Sequence, residues 1–250
     1  MTDSPLQSSS LQSSPLLTSP EVQRLLVEEK LLLIDKPAGR SSHYMVNFIR
    51  TKTGVHRVGH AGTLDPLATG LLIVLVGREA TRIQDQLIGL DKEYDFSVVL
   101  GVETETYDTV GQETRRWDWD QVKKIRDTEI QDALQRFVGE YIQEVPAYSA
   151  VKQHGRKLYE MALKHQRIEL PKRNVRIFSL QLLGIDRDED EQTCVVHCHV
   201  HCGSGTYVRS LAVDIGHALG IGATVSALRR TKIGPFCVQM VQPHSLELVI

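Results

Sequence analysis

Two alternating segments in the C-terminal half of the chain constrain its fold most strongly. Residues 175–185 and 193–202 both have the period-two pattern of a strand, and the six residues 186–191 between them are all charged. Strands joined by so short a connection pair antiparallel as a hairpin. Because the other predicted strands and helices do not alternate as βαβ units, the sequence predicts an α+β fold with a largely antiparallel sheet.

Hydrophobic periodicity and turn residues predict the remaining elements. The predicted strands are residues 31–34, a run that ends at residue 76, and residues 93–101. The predicted helices are residues 42–53, 79–90, 119–138, 207–219 and 223–229. This irregular order of elements fits the α+β class.

The first 20 residues differ in composition from the rest of the chain. They are rich in Ser, Gln, Pro and Leu and contain no Lys or Arg, which predicts a disordered tail and argues against a secretory or mitochondrial leader. The chain is 41% hydrophobic and 24% charged, as globular proteins are, and no run of 18 apolar residues could span a membrane. We therefore predict one domain over residues 21–250, in the cytoplasm.

A cluster of cysteines and histidines in residues 194–202 suggests a metal site. The period of two places Cys194, Cys198 and Cys202 on one face of a strand. The three histidines between them fall on the opposite face, and no Cys-x-x-Cys pair is present. Buried cysteines of a reduced protein explain the pattern better, and we predict no metal.

Residues 152–176 are strongly basic. They contain eight Lys and Arg against two Glu, so this segment carries +6 and the rest of the chain −8. A cationic segment on an acidic body is typical of a protein that binds a polyanion. The alternative is a solvated helix face followed by a loop.

A short segment presents a single carboxylate among glycines. Residues 59–70 contain Gly59, Gly62 and Gly70, and Asp65 is followed by a proline. Such a stiff loop on a rigid scaffold is a common place for a catalytic acid. The alternative is a tight turn in which Asp65 caps its own backbone.

A series of short motifs resembles the TruB family of tRNA pseudouridine synthases, and together they cover about residues 30–240. They are IDKPAG (34–39), GHAGTLDPLATGLL (59–72), KEY (92–94), VPAYSAVK (145–152), GTYVRSL (205–211) and LRR (228–230). Each alone is weak, but they occur in the order that the family has.

The resemblance implies the pseudouridine synthase fold, with a bent mixed sheet, and an enzyme that isomerises the T-loop uridine of tRNA, position 55. It implies that Asp65 acts as nucleophile or base at the ribose. It also implies that Arg209 pairs with Asp65, and that Tyr94 stacks on the flipped base and takes its C5 proton. From the residues alone, Arg209 could equally form a structural ion pair and Tyr94 could be a core tyrosine. The reaction requires no cofactor or metal.

The resemblance also implies the residues that bind the substrate. Tyr207 and Leu228 would line the pocket, and His60 would occupy the space that the flipped base leaves. Lys36 would contact a phosphate or support its motif. A mobile thumb at about residues 149–176 would close on the T stem-loop through phosphate contacts, with the cations Lys152, Arg156 and Arg173.

The resemblance leaves three alternatives. The chain ends soon after residue 236, so we expect it to lack the C-terminal PUA domain that bacterial members usually carry; this also argues against a guide-dependent synthase. An RNA-binding or tRNA-folding module would not need Asp65. A glycosidase-like hydrolase would need two carboxylates, whereas the loop has one. We therefore expect a monomeric enzyme whose partner is tRNA, without a membrane or metal partner.

Overall fold

The computed structural model describes residues 15–153 and 155–241. Its helices are α1 (Pro20–Val27), α2 (Ser42–Thr53), α3 (Gly77–Ala80), α4 (Gln84–Gly89), α5 (Trp119–Val122), α6 (Asp127–Gln135), α7 (Leu158–Ala162) and α8 (Val208–Ala218). Its strands are β1 (Leu31–Lys36), β2 (Val58–Ala61), β3 (Thr69–Val76), β4 (Lys92–Leu100), β5 (Val102–Thr104), β6 (Glu113–Arg116), β7 (Gly139–Glu144), β8 (Lys152–Gln153), β9 (Arg156–Lys157), β10 (Lys172–Asp188), β11 (Thr193–Cys202), β12 (Ala223–Ile233) and β13 (Phe236–Cys237). The predicted α+β class is confirmed.

The described residues divide into two compact units, where the sequence predicts one domain over residues 21–250. Unit 1 lies within Met1–Leu90 and Arg230–Ile250, and unit 2 within Asp91–Arg229. The boundary falls inside β12, whose first seven residues belong to unit 2 and whose last four belong to unit 1.

Unit 1 is built on β3, whose apolar run is buried along its whole length. β1 and β2 both pair antiparallel with β3. Leu17 and the buried face of α1 pack into the same core. Residues 15–20 are therefore ordered, and the prediction that they belong to a disordered tail is wrong, because Leu17 gains burial against this core. Residues 1–14 of the predicted tail lie outside the described residues.

Unit 2 contains an antiparallel sheet in the order β4, β11, β10, β7. β11 has the predicted alternation: Cys194, Cys198 and Cys202 are buried, and the histidines between them lie on the half-exposed face. Cys198 pairs in register with Phe96 of β4. The cysteines thus act as small core residues, which agrees with the period-two interpretation.

Three predicted helices are wrong in whole or in part. Residues 223–229 form the first part of β12, because backbone hydrogen bonds between Val225 and the loop at residues 107–109 impose an extended strand. Residues 119–138 form two helices, since Arg126 is extended and the Glu129 carboxylate accepts its N–H to start α6. Residues 79–90 are interrupted by a 3-10 turn at Thr81–Ile83.

Candidate active site

In unit 1, the loop that carries Asp65 is fixed to the start of α2. The Ser42 hydroxyl accepts the Leu64 N–H at 2.8 Å and donates to the Leu64 carbonyl at 3.0 Å. Ser42 is buried, and α2 is capped by the neighbouring Ser41 hydroxyl. The residue before Asp65 is therefore held on both its backbone groups, while Asp65 itself is half-buried.

Lys36 supports the other side of the same loop. It is fully buried, and its ammonium donates to the carbonyls of Pro37 at 2.8 Å, Arg40 at 2.7 Å and Pro66 at 3.4 Å. Burial lowers the pKa of Lys36 to about 8, and the attraction of Asp65 opposes that fall. Of the two roles that the resemblance implies for Lys36, these contacts favour support of the motif over a phosphate contact.

Arg230 is a third support, which the sequence analysis did not assign. This buried side chain donates from Nε to the Leu71 carbonyl at 2.7 Å and from its guanidinium to the Gly62 carbonyl at 3.1 Å. At Gly70, φ is +96° and an added Cβ would lie 2.2 Å from the Arg230 carbonyl oxygen. Only glycine permits this approach of β12 to β3. Spacing alone could not show that Arg230 points at the loop.

His60 precedes this loop on β2. Burial, with the charge of Arg230 and the proximity of His43, lowers its pKa, so the imidazole is neutral at pH 7. Its Nδ1 atom is buried and makes no hydrogen bond within the described part of the chain. The role implied for His60, filling the space that a flipped base leaves, stays a prediction.

In unit 2, Arg209 at the start of α8 is held by three polar groups. Its guanidinium donates to the carbonyls of Thr106 at 2.6 Å and Tyr148 at 2.9 Å, and lies 3.8 Å from the Asp108 carboxylate. Asp108 in turn accepts the Thr106 hydroxyl at 2.7 Å and the Val110 N–H at 3.2 Å. Arg209 therefore does take part in a buried ion pair, and its pairing with Asp65 stays a prediction.

One hydrogen bond and one close contact at a glycine hold the loop that carries Asp108. The Thr104 hydroxyl donates to the Asp108 carbonyl at 2.7 Å. A Cβ at residue 111 would lie 2.1 Å from the Thr106 hydroxyl oxygen, so Gly111 is required for the loop to close. No local pattern in the sequence assigns Asp108 to Arg209, which lies about 100 positions further on.

A buried glutamine that has no recognisable sequence pattern holds Tyr207. Gln143 of β7 accepts the Tyr207 N–H at 2.8 Å and donates to the Tyr207 carbonyl at 3.1 Å and the Tyr141 hydroxyl at 2.6 Å. Tyr207 is the N-cap of α8, so Gln143 fixes the backbone that leads to Arg209. The Tyr141 hydroxyl in turn hydrogen-bonds Asp214, whose pKa burial raises to about 6.

The remaining predicted site residues also lie in unit 2. Tyr94 is buried on β4 opposite Val200, and Leu228 is buried on β12. The predicted thumb contains the β8–β9 hairpin and α7, and Leu158 anchors it by full burial. Its named cations are all exposed, namely Lys152, Arg156 and Arg173.

The described residues offer neither a metal site nor a membrane-spanning helix. No group of three or more His, Cys, Asp or Glu there could hold a metal ion. No helix in the same part of the chain is long and apolar enough to cross a membrane.

The fold matches solved structures of Cbf5 pseudouridine synthases. A chain in a crystal structure of a Cbf5–Nop10–Gar1 complex has a TM-score of 0.62 and 29% identity, over 84% of this chain and 52% of that one. A chain in an H/ACA RNP bound to a substrate RNA containing 2'-deoxyuridine has a TM-score of 0.60 and 25% identity, over 92% of this chain and 56% of that one. This chain thus spans just over half the length of both, and its fold is that of the pseudouridine synthases.

Sequence comparison identifies the family. The profile of the TruB family pseudouridylate synthase (N terminal domain) matches residues 50–208, and that of the tRNA pseudouridylate synthase B C-terminal domain matches residues 209–250. The tRNA pseudouridine synthase B of Xanthomonas axonopodis pv. citri is 42% identical, over 88% of this chain and 68% of that protein. The protein of the same name in Syntrophobacter fumaroxidans is 44% identical, over 87% and 67%. The chain belongs to the TruB family.

Proposed function

We propose that this chain isomerises a uridine of tRNA to pseudouridine, and that the target is position 55 in the T loop. The observation that carries the proposal is the Asp65 loop. Lys36 and Ser42 from one segment, and Arg230 from a distant one, all bond to the backbone of a loop that contains one carboxylate. The names of the relatives support tRNA as the substrate.

The reaction rearranges atoms within one nucleotide. The bond between N1 and C1' of the ribose breaks, the base turns, and C5 bonds to C1'. The C5 proton leaves and N1 gains one, so no redox partner is consumed. We propose that Asp65 attacks the ribose as a nucleophile or removes a proton from it as a base; the first route would divide one difficult step into two.

We propose supporting roles for the other site residues. Arg209 would stabilise the ionised form of Asp65, as opposite charges do. Tyr94 would stack on the flipped base and take the C5 proton. Tyr207 and Leu228 would line the pocket, and His60 would fill the gap in the RNA.

We propose that the thumb binds the T stem-loop through phosphate contacts of Lys152, Arg156 and Arg173, which gives affinity rather than sequence selection. We propose that the enzyme acts as a monomer. Its four cysteines are buried and unbridged, which fits the reducing cytoplasm.

The test is tritium release from unmodified tRNA labelled at C5 of uridine, with wild type, Asp65→Asn and Asp85→Asn side by side. Asp85 is an exposed carboxylate of unit 1 outside the loop, and serves as the control. We expect release by wild type and by Asp85→Asn, none by Asp65→Asn, and none when the uridine at position 55 is replaced by cytidine.

Each opposite outcome contradicts one part of the proposal. Release by Asp65→Asn would refute the role of Asp65. Release from the cytidine transcript would refute the target position. Binding of tRNA without release by wild type would favour a tRNA-folding module, and release only with an added guide RNA would favour a guide-dependent synthase.

A further inference from the structure

One surface of α2 carries a row of cations and aromatic rings. Tyr44, Phe48 and Lys52 follow at intervals of four residues, which places them along one face of the helix, and Arg40 lies just before the N-cap Ser41. The Arg40 guanidinium lies 4.6 Å from the centre of the Tyr44 ring, and the Lys52 ammonium 5.5 Å from that of Phe48. We call these four residues the α2 face.

The α2 face is open to solvent. Arg40, Tyr44 and Lys52 are exposed, with 43% of Tyr44 accessible, and Phe48 is half-buried. The apolar residues of the helix, Met45, Val46 and Ile49, are buried on its other side. Packing in the core therefore does not explain the exposed ring of Tyr44.

The segment of the chain around the α2 face contains no acidic residue. Residues 36–64 include five Lys and Arg and three His but no Asp or Glu, although the chain has 31 acidic residues in 250. At that frequency a segment of this length would contain three or four. Cations without acidic neighbours, interleaved with aromatic rings, are the pattern that binds phosphates and stacks bases.

The α2 face begins at the candidate active site. Ser42, in the first turn of α2, is the residue that holds Leu64 beside Asp65. Tyr44 to Lys52 spans eight residues, or about 12 Å at the rise of an α-helix, and Arg40 precedes the first turn. One strand of a nucleic-acid duplex advances about 3.4 Å per phosphate, so the helical part of the face can follow about three or four phosphates.

We propose that the α2 face is an RNA-binding surface, on which Arg40 and Lys52 contact phosphates of the substrate strand near the target and one base stacks on Tyr44. The proposal rests on the proposed function for the identity of the RNA. It adds a contact surface in unit 1 to the thumb, which belongs to unit 2.

The experiment measures the affinity for an unmodified tRNA transcript at several salt concentrations. The first variant is Arg40→Gln/Lys52→Gln, which keeps the Arg40 carbonyl that Lys36 uses. The matched control is Lys123→Gln/Lys124→Gln, which removes two exposed cations that lie among Asp120 and Glu189 in unit 2. Circular dichroism and thermal unfolding verify that each variant is folded.

We expect Arg40→Gln/Lys52→Gln to lose two phosphate contacts, so that a fourfold rise in salt weakens wild type about tenfold more than this variant. We expect the control pair to keep the wild-type salt dependence. Tyr44→Ala should bind at least about fivefold more weakly with an unchanged salt dependence, and Tyr44→Phe should restore the affinity, because stacking needs the ring and not the hydroxyl.

A wild-type salt dependence in Arg40→Gln/Lys52→Gln would overturn the proposal. A wild-type affinity in Tyr44→Ala would overturn base stacking. The proposed function is tested separately by tritium release: a wild type that shows the predicted salt behaviour and releases no tritium would refute the enzyme and leave the RNA surface supported.

Discussion

Replacing Ser42 by alanine should separate the support of the Asp65 loop from ordinary stability. The Ser42 hydroxyl makes two hydrogen bonds to Leu64, at 2.8 and 3.0 Å, and both residues are buried. Ser42→Ala therefore leaves the N–H and the carbonyl of Leu64 without this hydrogen-bond partner. A buried polar group without a partner costs about 1–3 kcal/mol. Because Thr63 and Pro66 are exposed, the loop can shift towards water, and we expect the free energy of unfolding to fall by about 2–4 kcal/mol.

The same shift should displace Asp65, which directly follows Leu64. A displacement of about 1 Å at a reacting group lowers a rate by about 100-fold. We expect kcat for tritium release to fall by about that factor, with KM little changed because the cations proposed to bind RNA are untouched. The free energy of unfolding is measured with urea, and kcat and KM with labelled tRNA.

Ser41→Ala is the matched control. Ser41 caps the same helix by accepting the Tyr44 N–H at 3.0 Å, and its side chain makes no hydrogen bond to the loop within the described residues. Loss of this cap should cost about 1 kcal/mol and leave kcat near the wild-type value. If Ser42→Ala keeps the wild-type kcat, or if Ser41→Ala lowers it equally, the loop is not positioned by Ser42.

Two further predictions concern buried ionisable groups. Burial raises the pKa of Asp214 to about 6 from 3.8, so the folded state holds this proton more tightly than the unfolded state. The free energy of unfolding should therefore fall by up to about 3 kcal/mol as the pH rises from 4 to 6. In urea unfolding, Asp214→Asn should lack this fall and be more stable than wild type at pH 7.5. Burial lowers the pKa of Lys36 to about 8 from 10.5, so the folded state loses its proton first and this group adds stability from pH 8 towards 10.5. Deprotonation of Lys36 should also remove its attraction for Asp65, so the rate of tritium release should decline as the pH rises through about 8. Lys36→Met should release tritium slowly at every pH and show no such decline. If Lys36→Met shows the same decline, a group other than Lys36 causes it.

The parts of the fold that could be predicted are those with a local signal. The alternation in β11 and the helix over residues 42–53 both depend on patterns of neighbouring residues, and both predictions are confirmed. Residues 223–229 could not be predicted correctly from such signals. Their strand depends on backbone pairing with residues 107–109, about 115 positions away, which overrides local preference.

In the candidate site, too, residues with a local sequence signal could be predicted and residues that act through distant contacts could not. Asp65 stands out because a carboxylate among glycines is a local pattern. The residues that support the site have no such local pattern. Arg230 bonds to Gly62, which is 168 positions away in the chain, and Gln143 bonds to Tyr207, which is 64 positions away. A buried glutamine in a strand has no sequence pattern of its own, because its selection depends on the backbone groups that it must satisfy.

The contacts within unit 1 give a physical reason for the joint occurrence of motifs that are far apart in the chain. Lys36 belongs to the first motif, Asp65 to the second and Arg230 to the last, and the buried cations of the first and last donate to carbonyls of the Asp65 loop. Loss of either cation alone would remove the donor that these carbonyls accept from. The positive charge that satisfies these carbonyls also lies near Asp65, where a carboxylate nucleophile or base must remain ionised. Support of the loop and its electrostatics therefore depend on the same side chains, and Ser42, which is neutral, is the support whose removal tests position without changing the charge.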